Sequence, residues 1–90
     1  MNIDVAFTAT LEKIDSKDGW TYVIWPESKD YFGTGGLVKV AGTIGGKPLR
    51  ATFMAMGDGK QMLPIKSETR KLIGKHAGDT VVVTLTERIE

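Results

Sequence analysis

From Ile3 to Leu11 the apolar residues Ile3, Val5, Phe7, Ala9 and Leu11 alternate with Asp4, Ala6, Thr8 and Thr10. That is the period of a strand with one buried face. Asp15-Ser16-Lys17-Asp18-Gly19 is a cluster of turn formers, and Trp20 to Trp25 follows as a second strand that ends where Pro26 removes a ladder donor. Alternation places Trp20 and Tyr22 on one face of that strand and Trp25 on the other, and Trp25, beside Pro26 at the strand end, is expected to be the exposed one. Glu27 to Gly36 reads as a polar connection with one helical turn around Lys29 to Phe32.

Leu37 to Ile44 and Lys47 to Ala55 flank Gly45-Gly46, a pair that supplies the positive φ values of a two-residue hairpin turn. If Ile44 faces Lys47 across the turn, Val38 meets Phe53, Val40 meets Ala51 and Gly42 meets Leu49 on one face. The other face carries Lys39 with Thr52, Ala41 with Arg50 and Thr43 with Pro48. Both apolar sets fall on the same side without adjustment, which a wrong register would not allow.

Met56-Gly57-Asp58-Gly59 is a further turn, leading into an extended piece from Lys60 to Ile65 that is expected to be an edge or to end at Pro64. Ser67 is a candidate N-cap for a helix of about two turns over residues 67–74, with Glu68 early, Arg70 and Lys71 late and Gly74 as its stop. Thr80 to Thr86 closes the chain as a strand in which Val81, Val83 and Leu85 alternate with polar or outward residues, after a Gly78-Asp79 turn. Many short strands, closely spaced turns and one short helix predict an all-β fold: a small closed or split barrel of six to seven strands.

Ninety residues amount to one domain, 1–90, and 41% hydrophobic with 26% charged residues is the balance of a packed protein. The absence of cysteine removes thiol nucleophiles and cysteine metal sites. His76 is the only histidine, too little for a metal centre or a His-assisted nucleophile, so no metal, cofactor or catalytic residue is assigned. The N-terminus carries an early acid, Asp4, and no apolar run approaches a membrane span. A cytoplasmic protein without membrane contact is expected, as a monomer or homodimer.

A net charge of +1 excludes bulk coating of nucleic acid, yet the charge is uneven. Residues 46–76 hold seven basic side chains against Asp58 and Glu68, a balance of +5, while residues 1–45 and 77–90 each sum to −2. The derived register sets Lys39 and Arg50 diagonally on one face, where an anion could sit between them. Arg70, Asp58 on its glycine-flanked turn and Trp25 as an exposed aromatic complete the candidate ligand-binding set. Asp58 and Asp79 would serve an enzyme only if they converged on one pocket; Asp79, just before a strand, reads as a structural turn residue.

The order Trp20, Pro26, Val38, Val40, Gly42-Thr43, Gly46, Pro48, Arg50, Gly57-Asp58-Gly59, Leu63-Pro64, Arg70, Gly74, Gly78-Asp79 and Val81-Val83-Leu85 resembles the bacterial and archaeal domain of unknown function 1905. The resemblance implies a small closed β-barrel and no established activity. Residues 70–83 alone are also similar to the C-terminal half of the swapped-hairpin DNA-binding domains of transition-state regulators and antitoxins, although there a proline precedes the arginine by four and here Pro64 precedes Arg70 by six. The function expected is a small binding or accessory module for an anionic ligand or a protein partner. The alternative is a weak nucleic-acid-binding module of the swapped-hairpin regulator type, with no specific DNA binding expected, and the third reading is an enzyme with carboxylates at the barrel mouth.

Overall fold

A computed structural model describes residues 1–14, 20–56 and 60–89. The turns expected at Asp15–Gly19 and Gly57–Gly59 lie outside the described residues. Among the described residues, seven strands and two short helices follow in the order β1 (Asn2–Thr10), β2 (Glu12–Lys13), β3 (Thr21–Ile24), α1 (Ser28–Phe32), β4 (Val38–Ile44), β5 (Lys47–Ala55), β6 (Gln61–Pro64), α2 (Ser67–Ile73) and β7 (Thr80–Ile89).

All pairings are antiparallel, and the spatial order is β1-β7-β4-β5-β6-β3-β2. The sheet curls into a half-barrel. Its two ends, β1 and β2, are separated in the chain by Leu11 alone, so one bent stretch pairs with β7 through its first part and with β3 through its second. Leu11 is buried at the bend, and its backbone is tied on both sides: its N–H donates to Asp79 O and its carbonyl accepts from Gly78 N–H, each at 2.8 Å.

The β4–β5 hairpin has the register that the apolar pattern requires, with Val38 facing Phe53, Val40 facing Ala51 and Ile44 facing Lys47. Gly45 and Gly46 take φ values of 55° and 83°, the left-handed region that a two-residue turn of this kind needs. Burial in β1 alternates as its period predicts, with Ile3, Val5, Phe7 and Ala9 facing the core. β6 ends at Pro64 but is no edge: it lies between β5 and β3. Proline is tolerated there because the β5 pairing stops at Met54–Met62, so no ladder partner faces the missing N–H of Pro64.

Two local expectations are corrected. The N-cap of α2 is Lys66, in extended conformation and without a side-chain cap bond, and Ser67 is already the first helical residue. The helix starts one residue too early for serine capping, and its end is set by Gly74 at φ 67°, as expected. Trp25 is buried, at 7% exposure, and Trp20 is the exposed tryptophan, at 46%. The alternation along β3 holds, but its faces are reversed. After Pro26 the chain folds back through α1, which lays Tyr31 and Phe32 against Trp25, while Phe7 of β1 stacks on the indole at 4.8 Å between ring centroids and 3° between planes. Phe53 completes this aromatic cluster, which fills the space between β1 and β3.

A buried polar chain locks α1 to the sheet. Ser28 Oγ donates to Gln61 Oε1 at 2.8 Å, and Gln61 Nε2 donates to Gly36 O at 2.6 Å. Both side chains are essentially inaccessible, so each bond satisfies a group that water cannot reach.

Candidate functional site

The hairpin register sends Lys39 of β4 and Arg50 of β5 to the same outer face, as diagonal neighbours through the Lys39–Thr52 and Ala41–Arg50 pairs. Both are exposed. They line an open groove of about 470 Å³ together with Thr52, Met54, Pro64 and Lys66, over Val40, Ala51 and Ile89. The sheet order explains the gathering. β7 brings Ile89 opposite Lys39, and β6 returns beside β5 so that the residues just after it, ending in Lys66, close the other rim.

Lys66 and Pro64 also line a second depression, of about 460 Å³, whose other walls are Trp20, Thr21, Ile65, Ser67 and Arg70. A third, of about 310 Å³, runs along α2 with Ser67, Arg70, Lys71, Gly74, Lys75 and His76. Each shares residues with the next, so the three form one continuous basic track. Among the described residues, the cations on it are Lys39, Arg50, Lys66, Arg70, Lys71 and Lys75, and no carboxylate lines it.

Lys39 and Arg50 therefore come together, and Arg70 sits one depression away, joined to them through Lys66. Lys66 and Arg70 are one helical turn apart, the Arg70 N–H donating to Lys66 O at 3.1 Å, which aligns both toward the same cleft. Trp25 lines none of the three, being committed to the aromatic cluster, so the expectation that it is exposed beside a ligand is corrected; the exposed tryptophan, Trp20, lines the second depression. Asp58 lies outside the described residues. Asp79 accepts the His76 N–H at 2.9 Å, the structural turn role read for it.

Sequence reasoning preferred Trp25 to Trp20 as the exposed ring, counted Lys66 only in the charge balance of residues 46–76, and passed over Thr21. The one local signal was the four-residue spacing of Lys66 and Arg70, legible only once the helix is known to begin after Lys66. Among the described residues, two buried side-chain polar atoms are without a hydrogen-bond partner, Thr21 Oγ1 and Arg70 Nε, and both residues line the second depression. Among the described residues, no cluster of three or more His, Cys, Asp or Glu side chains could hold a metal, and no helix is long and apolar enough to cross a membrane.

Residues 7–85, from β1 to β7, match the family model described as Domain of unknown function (DUF1905). A comparison with curated proteins finds no match.

Proposed function

The chain belongs to the DUF1905 family, and from that premise we propose that it is a small binding module whose basic track holds an anionic ligand or an anionic segment of a partner. The observation that carries this reading is the run of six cationic side chains along three adjoining depressions without a lining carboxylate among the described residues. Packing cations together without counter-charges raises the local potential, and an anion relieves it. Arg50 offers a planar fork suited to a carboxylate or phosphate, Lys39 and Lys66 add point charges, and Met54 and Ile89 on the same outer face give the groove apolar walls. Because the groove is open and its cations exposed, the attraction is screened by salt.

Duplex DNA is a poorer fit as a specific ligand. The only helix on the track, α2, has seven residues and carries Glu68 exposed, whereas groove readers insert a longer helix or a ribbon with several base-contacting side chains.

The test is a chemical-shift titration with inorganic pyrophosphate at low and high salt. Amide shifts should cluster at Lys39, Arg50, Thr52 and Lys66, and Lys39→Ala with Arg50→Ala should weaken binding roughly tenfold or more, as expected for losing charge-assisted contacts. Shifts scattered over the opposite, β1 side of the barrel, or none at all, would overturn the assignment.

A further inference from the structure

Trp20 leaves nearly half its surface in solvent on the rim of the second depression. The next residue, Thr21, is 3% exposed, and its hydroxyl has neither donor nor acceptor partner. Across the cleft, Arg70 is half-buried with an unpartnered Nε–H. Buried polar groups are normally satisfied, because the hydration lost on folding must be replaced. Both residues line one concavity, flanked by Lys66, and the Arg70 guanidinium is a donor there that an oxygen acceptor would satisfy. Of the remaining walls Pro64 and Ile65 are apolar and Ser67 is polar, and the volume falls in the range of about 300 to 1,000 Å³ typical of small-molecule sites.

We propose that this cleft takes a small acid carrying a flat ring, an aryl or heteroaryl phosphate or carboxylate. The ring stacks on the Trp20 indole against Pro64. The acid oxygens accept from Arg70 and Lys66, whose flexible side chains turn toward it. The acid half rests on the anion reading above; the ring half is additional.

Nuclear magnetic resonance titrations with 1-naphthyl phosphate, 1-naphthoate, inorganic phosphate and 1-naphthalenemethanol separate the two. A ring-bearing acid should shift the Trp20 indole N–H and bind roughly 5- to 100-fold tighter than inorganic phosphate, the gain that stacking on one aromatic side chain supplies. Preference for the phosphate or for the carboxylate supports the proposal either way and identifies the acid. Trp20→Ala should erase the ring advantage and leave phosphate affinity unchanged, while Arg70→Gln should weaken both acids. Equal affinity for phosphate and naphthyl phosphate would overturn the ring half and leave the anion reading standing. Equal affinity for the neutral alcohol and the phosphate ester would overturn the acid half, and failure of every anion to bind would overturn both readings.

Discussion

Replacing Gly42 with alanine should be among the most damaging single-methyl additions in this protein. Gly42 lies in β4 opposite both Leu49 of β5 and Leu85 of β7, where the β4–β7 register shifts between Ala41 and Gly42 and Thr86 becomes the extra residue. The shift draws the β7 backbone close. A Cβ on residue 42 would run into the Thr84 carbonyl oxygen and sit 2.9 Å from both the Thr84 carbonyl carbon and Leu85 Cα. The obstruction is backbone, so no rotamer change relieves it. β7 cannot move away freely, because it is paired with β1 on its other side and its Val83 and Leu85 are fully buried.

Overpacking a dense interior costs about 1 to 3 kcal/mol, and distorting the adjacent ladder forfeits about 1 kcal/mol for each hydrogen bond lost. A total of roughly 3 to 5 kcal/mol is therefore expected, against about 5 to 15 kcal/mol of stability for a domain. In a protein of this size 1 kcal/mol moves the thermal midpoint by about 4 to 8 °C, so Gly42→Ala should lower it by more than roughly 12 °C in differential scanning calorimetry. Gly36→Ala is the control. Its Cβ would meet only the Thr34 hydroxyl at 3.5 Å, an ordinary contact, and its midpoint should stay near that of the unaltered protein. A Gly42→Ala midpoint within a few degrees of the control would refute the close-approach argument.

Phe53→Ala should cost about 3 to 5 kcal/mol in a urea titration, since the ring is wholly buried between Trp25 and Phe32; an unchanged midpoint would mean that the core is elsewhere. Gly46→Val should cost about 1 kcal/mol or more through φ alone, because Gly46 sits at 83° with open space around its Cα, and a neutral result would argue against the two-residue turn. Acrylamide quenching should show one accessible and one protected tryptophan, and Trp20→Phe should remove the accessible component; loss of the protected one would reverse the burial of Trp20 and Trp25. A titration with duplex DNA at physiological salt should give no better than the non-specific range of about 10⁻⁴ to 10⁻⁶ M, and nanomolar sequence-dependent binding would promote the regulator-like alternative.

What the sequence determined unaided is what depends on near neighbours. The alternation from Ile3 to Leu11 marks β1 because a strand's side chains repeat every two residues. The register of β4 on β5 follows from a turn only two residues long, which leaves the facing pairs no freedom once Gly45-Gly46 is recognised. Gly74 stops α2 for the same local reason, a left-handed φ. The order β1-β7-β4-β5-β6-β3-β2 is not written in any such neighbourhood, and the features that matter for binding hang on it. Only that order carries β6 and Lys66 beside the Lys39–Arg50 face, and only the return of α1 over β3 covers Trp25 and leaves Trp20 outside. Gly42 looked like any residue of its hairpin until β7, distant in the chain, was laid against it. Period and turn chemistry act over a few residues, but burial, close approach and the convergence of charge are set by which distant strand becomes the neighbour.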